Sequence, residues 1–100
     1  MAEKAILEIA QQFGKLAKEL IDTRMIVLFG SQARNSATAE SDIDVAVIVD
    51  RIEGDFLDIE TSLYRVRRDV DDRIEPVLIE FGTDPSGFLE SILAYGVIVG

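Results

Sequence analysis

The chain has 100 residues, 48% of them hydrophobic, which is enough for one domain, spanning 1–100, with a modest core. Its net charge of −9 argues against general nucleic-acid binding, which needs basic surface, and suits a basic partner. It has no cysteine and no histidine, so disulfides, zinc–thiolate sites, Ser–His pairs and most transition-metal sites are excluded. Acid–base or metal chemistry must fall to carboxylates, lysine, arginine, tyrosine or water.

Residues 3–21 carry Ile6, Ile9, Ala10, Phe13, Leu16, Ala17 and Leu20 at three- and four-residue steps, which predicts an amphipathic helix. Gly14 slightly weakens it. Met25–Phe29 is a short apolar run, read as a buried strand. Ser31–Asn35 is expected to start a short helix, with Gly30 or Ser31 near its N-cap. After a polar loop, Ile43–Val49 reads as a second, central strand, apolar on both faces apart from Asp44. From Phe56 to Val70 the apolar positions Phe56, Ile59, Leu63, Val66 and Val70 step by three and four, a strong helical pattern. Arg65, Arg67 and Arg68 are expected on its solvated face. Arg73–Phe81 reads as a third strand; Pro76 inside it predicts an edge or a bulge. Gly82–Pro85 should turn, with Ser86 as an N-cap. Phe88–Tyr95 should form a last helix, ended by Gly96. Val97–Val99 is read as a strand stub. Phe13, Phe56, Phe81 and Phe88 occupy apolar-pattern positions and are expected in the core. The order of elements predicts an α/β or α+β domain with a small mixed sheet flanked by helices. No apolar stretch approaches the roughly 18–20 residues of a membrane span, and charges interrupt the N-terminal segment. A cytoplasmic protein is expected.

The chemistry concentrates in one stretch. Gly30-Ser31 is followed by ten residues and then Asp42-Ile43-Asp44. Residues two apart in a strand face the same way, so Asp42 and Asp44 project together near the Gly30-Ser31 turn. Two such carboxylates suit magnesium, which binds one or two carboxylates plus substrate phosphates. A third acid would complete a two-metal arrangement. Glu75 and Glu80 on the third strand are both candidates, Glu75 being preferred. Gly30 would admit a triphosphate closely, Ser31 would hold phosphate oxygens, and Arg34 could neutralise phosphate charge. Each has a plainer alternative: a solvated strand start for the aspartates, an ion pair with Glu40 or Asp42 for Arg34, a solvated edge for the glutamates. A calcium loop and a Walker P-loop both fail on the residues present.

Phe29-Gly30-Ser31-Gln32-Ala33-Arg34, then Ser41-Asp42-Ile43-Asp44-Val45-Ala46-Val47, resembles the signature of the polymerase-β-like nucleotidyltransferase superfamily. The amphipathic helix, the strand with a third acid and the segment Phe88 to Gly96 extend the resemblance along the whole chain to the minimal, single-domain members. The resemblance implies magnesium-dependent transfer of a nucleoside monophosphate from a nucleoside triphosphate, here ATP. It implies Asp42, Asp44 and Glu75 as catalytic metal ligands and Gly30 and Ser31 as phosphate-holding residues. Asn35 stands where glycine is common, and Glu75 where aspartate is commoner. Minimal members often accompany a helical HEPN-domain protein. That pairing implies an antitoxin that adenylylates a tyrosine of a ribonuclease toxin. A chain this short leaves acceptor specificity to a partner or to homo-oligomerisation. Two alternatives are a non-catalytic antitoxin that masks its toxin by contact, and a small-molecule nucleotidyltransferase acting on an aminoglycoside-like acceptor.

Overall fold

A computed structural model describes residues 3–34, 36–38, 40–82 and 86–100. The elements run α1 (Lys4–Leu20), β1 (Met25–Phe29), α2 (Gly30–Ala33), β2 (Ile43–Val49), α3 (Phe56–Val66), a 3₁₀ turn (Arg67–Asp69), β3 (Ile74–Glu80), α4 (Phe88–Tyr95) and β4 (Val97–Ile98). The strands form one sheet in the order β3-β2-β1-β4. β1 runs antiparallel to β2 and to β4, whereas β2 and β3 are parallel. The connections explain this: α3 provides the crossover a parallel pair needs, while the short excursion between β1 and β2 turns the chain back.

Strand alternation divides the core into two layers. Ile43, Val45, Val47 and Val49 of β2, with Ile26 and Leu28 of β1 and Ile74 and Leu78 of β3, pack with Ile6, Ala10, Phe13 and Ala17 of α1 and Leu63 of α3. On the opposite face Val27, Ala46 and Ile48 meet Leu89 and Ile92 of α4. From Val45 to Val49 β2 is thus buried on both sides, as that apolar run requires. Gly14 lies where α1 crosses β1. A Cβ there would stand 3.1 Å from Ile26 Cγ2, so the residue that weakens the helix also lets it approach the sheet closely.

β3 is the edge strand that Pro76 foretold; in the parallel register Pro76 faces Val45. Three expectations need correction. The helix after Asp55 stops at Val66 and tightens into a 3₁₀ turn, although its apolar pattern runs on to Val70. Gly87, at φ 75°, rather than Ser86, precedes α4. Phe13 is fully buried and Phe81 partly so, but Phe56 and Phe88 are 40% and 45% exposed. Both lie in the first turn of a helix, where the apolar stripe has only begun to reach the sheet. Asn35, and Thr83–Pro85 of the expected turn, lie outside the described residues.

Candidate active site

Asp42 and Asp44 reach the site on two levels of support. Ser41 is fixed by its own turn: its Oγ accepts from the Thr38 backbone N–H at 2.8 Å. Buried Gln32 donates its Nε2 to the Ser41 carbonyl at a long 3.5 Å. Asp42 follows at once, exposed, and Asp44 is the second residue of β2, half-buried. Ile43 between them points into the core and is fully buried. The alternation that buries Ile43 therefore presents both aspartates on the other face.

The sheet brings the remaining groups to Asp44. Across the antiparallel ladder its partner is Phe29, so Gly30 sits beside it. Gly30 has φ 73°, a left-handed conformation costly for other L-residues. A Cβ built on Gly30 would collide with Asp44 Oδ2, so glycine is needed here for space as well as for conformation. Across the parallel ladder the partner of Asp44 is Glu75. Glu80 is opposite Val49 at the far end of the strands, where its Oε2 accepts from the Ile52 backbone N–H at 2.9 Å. Of the two glutamates, Glu75 is the one beside the aspartates.

The electrostatics agree. Burial raises the Asp44 carboxyl above its ordinary value, and the charges of Asp42 and Glu75 raise it further. Crowded carboxylates of this kind are relieved by a divalent cation. Asp42 and Asp44 fit a magnesium ion whose other ligands are phosphate oxygens. Among the described residues, however, no three acidic side chains gather closely enough to share one ion. Glu75 has other partners: the Tyr64 hydroxyl donates to its Oε2 at 2.9 Å, and Arg67 Nη1 lies 3.7 Å from its Oε1.

Gly30, Ser31 and Arg34 line a cavity of about 240 Å³ between the β1–α2 turn and α4. Phe29, Phe88 and Tyr95 supply its aromatic walls, and the rings of Phe29 and Phe88 meet edge to face at 5.8 Å. Arg34 forms no ion pair with Glu40 or Asp42; its guanidinium lies 5.4 Å from the centroid of the Tyr95 ring. It is thus poised at the cavity wall with its charge uncommitted to an acid among the described residues. The structure gathers Gly30, Ser31 and Arg34 around this cavity, sets Asp44 against Gly30, and pairs Glu75 with Asp44 on the far side of β2.

Sequence reasoning missed Tyr64 and Arg67. Arg67 is half-buried, unlike the exposed Arg65 and Arg68, and donates to the Ile74 carbonyl at 2.9 Å. The available signal was positional: both residues lie at the end of the crossover helix that delivers the third acid.

The family described as polymerase beta, nucleotidyltransferase, matches residues 11–99. The chain belongs to that nucleotidyltransferase family, whose domains use a nucleoside triphosphate and a divalent metal. No curated protein sequence matches it. Among solved structures it is similar to that of a candidate nucleotidyltransferase from Sulfolobus solfataricus, with TM-score 0.65 and 17% identity over 94% of this chain and 78% of that one. At that identity the likeness concerns the fold, and it agrees with a small mixed sheet flanked by helices. No helix among the described residues is long and apolar enough to cross a membrane.

Proposed function

We propose that this protein is a magnesium-dependent adenylyltransferase that moves AMP from ATP to a protein acceptor, and that the acceptor is a helical HEPN-type ribonuclease toxin silenced by the modification. The observation that carries the chemistry is the juxtaposition of Asp42 and Asp44 with the Gly30 turn, whose Cβ-free backbone abuts Asp44. When bound there, magnesium would neutralise phosphate charge and orient the α-phosphate for in-line displacement. The chain's own residues do the rest. Gly30 and Ser31 border the phosphates, Arg34 offers a cation, and the ring of Tyr95 stands across the cavity as a stacking surface for a base. The cleft beside Gly30 is small, about 240 Å³. That favours an acceptor which brings its own surface, and the net charge of −9 favours a basic one.

The test is label transfer from α-phosphate-labelled ATP, with magnesium, to the protein encoded by the neighbouring gene, followed by intact mass. The wild type should add mass in AMP units. The Asp42→Asn/Asp44→Asn variant should remain folded and add none; transfer that survives both substitutions removes the mechanism. A second reading has one observation in its favour: Glu75 is engaged by Tyr64 and Arg67 rather than gathered with the aspartates. In that reading the chain masks its toxin by contact alone. The same double variant separates the two, because a contact antitoxin would still neutralise the toxin.

A further inference from the structure

A second cavity, of about 560 Å³, lies at the end of the sheet opposite Gly30. Ile21, Asp22 and Thr23 reach it just before β1 begins, and Asp50 to Glu53 just after β2 ends. From Asp44 to Val49 the strand rises about 16 Å, so this cavity and the candidate active site are separate. Its size is within the roughly 300–1,000 Å³ of ligand-binding clefts. Its floor belongs to the core: Val49 and Leu78 are buried, and half-buried Ile21, Ile52 and Ile59 pack against the same cluster. The apolar surface continues past the cavity. Leu20, beside Ile21 in the chain, is 44% exposed, and Phe56, about one turn before Ile59 on α3, is 40% exposed. The rim is acidic, with Asp22, Asp50 and Glu53 against a single base, Arg51. Asp50 is committed to Arg24 at 2.8 Å, whereas exposed Asp22 and Glu53 form no ion pair among the described residues. One polar atom is left over. Thr23 lines the cavity, and its Oγ1 is buried with no hydrogen-bond partner among the described residues. Buried hydroxyls are normally paired, so this one stands ready for a group that enters from outside.

We propose that this cavity is the docking site of the acceptor protein, which inserts a large apolar side chain flanked by lysine or arginine. This rests on the reading above that the acceptor is a protein. Exposed Leu20 and Phe56 favour a macromolecule, because a small ligand confined to the cavity would leave both in water. The acidic rim selects a basic segment and disfavours a second copy of this chain, whose net charge is −9. The Thr23 hydroxyl pairs with a polar group of that segment, backbone included. Docking and chemistry then occupy opposite ends of β2. Asp42, Asp44 and the Gly30 turn are left open to the acceptor's nucleophile.

The experiment uses the full chain and the purified protein of the neighbouring gene. Binding is measured by isothermal titration calorimetry, and transfer of labelled AMP is followed as acceptor and ATP are varied in turn. Asp22→Lys/Glu53→Lys should weaken binding roughly tenfold or more at low salt and flatten its salt dependence. Glu3→Lys/Glu8→Lys makes the same change of net charge at the exposed far end of α1 and should cost much less. Thr23→Val replaces the hydroxyl by a methyl of similar shape. It should keep or raise the urea midpoint yet weaken binding roughly 2–10-fold. In Asp22→Lys/Glu53→Lys and in Thr23→Val the KM for the acceptor should rise, while kcat at saturating acceptor and the KM for ATP stay unchanged. Wild-type affinity in either variant, or an equal loss in Glu3→Lys/Glu8→Lys, overturns the inference while leaving the transferase intact. So does self-association of the wild type that Asp22→Lys/Glu53→Lys abolishes, because a second copy then fills the cavity. Binding that depends on Asp22, Glu53 and Thr23 without any labelling overturns the transferase reading instead. No binding by the wild type removes both.

Discussion

Asp44 is held where its charge is unwelcome, and that has a measurable cost. Its carboxyl is raised by burial first, then by Asp42 and Glu75. A carboxylate raised in the folded state contributes no penalty below its unfolded value, near the ordinary 3.8, where both states bind the proton. As pH rises through the folded value, the folded chain must give up a proton it prefers to keep, and stability is lost. Asp44→Asn removes that penalty. The difference in melting temperature between Asp44→Asn and the wild type should therefore shift in favour of the variant as pH rises from about 3 to about 7. A difference that stays flat over that range contradicts the electrostatic crowding. The same substitution should abolish transfer, as expected where an active site stores unfavourable charge. Gly30 illustrates the complementary constraint, because its missing Cβ leaves the space that Asp44 Oδ2 fills.

At the scale of the element, α3 does two jobs and its two ends are built differently. Its N-terminus is capped: Asp55 Oδ1 accepts from the backbone N–H groups of Leu57 at 2.8 Å and Asp58 at 3.2 Å. Such a cap satisfies donors that the helix cannot. Asp55→Ala should destabilise the chain by about 1 kcal/mol, read as a lower urea midpoint with unchanged slope. A destabilisation this size with unaltered Mn²⁺ affinity would show that the cap serves the fold alone. The C-terminus is instead bent to place Arg67. The apolar steps from Phe56 to Val70 made the helix legible in the sequence, but they are blind to pitch. Period counting sees Val66 and Val70 on one stripe whether or not a 3₁₀ turn intervenes. β1 and β2 were legible to the residue, because a central strand is an almost wholly apolar run between polar loops, interrupted in β2 only by Asp44. Their antiparallel pairing was open until the length and path of the α2 loop were known. Gly30, Asp42 and Asp44 were legible because the motif is local. The Tyr64–Glu75–Arg67 cluster joins an edge strand to a helix end, and no short-range pattern encodes it. The first turn or edge of an element is also where the apolar pattern misleads, as exposed Phe56 and Phe88 demonstrate.

For the whole molecule the dominant long-range force is its own charge. Nineteen acidic residues face ten basic ones. The ion pairs that oppose this excess are shallow: Arg24–Asp50 at 2.8 Å has side chains 44% and 73% exposed, and such exposed pairs contribute roughly 0–1 kcal/mol. Self-repulsion of the folded chain should therefore outweigh them. Added sodium chloride screens both, shortening the Debye length from about 30 Å at 0.01 M to about 8 Å at 0.15 M. Because the repulsion is summed over the surface and the ion pairs seen among the described residues are few, the urea midpoint should rise with salt. Magnesium at matched ionic strength should add a further rise in the wild type, since an ion that binds only the folded state stabilises it by mass action. The extra rise should vanish in Asp42→Asn/Asp44→Asn while the general salt effect remains. Equal responses to magnesium in both proteins would mean that the acidic surface, and not the Asp42–Asp44 pair, attracts the ion. A midpoint that falls with sodium chloride would place the balance with local pairs such as Arg73–Asp71, where Asp71 accepts from the Arg73 backbone and guanidinium and is held below its ordinary value. That pair closes the turn leading into β3, whose Arg73 carbonyl accepts from Ile43 N–H at 2.8 Å. Its loss on screening would loosen the register that sets Glu75 against Asp44.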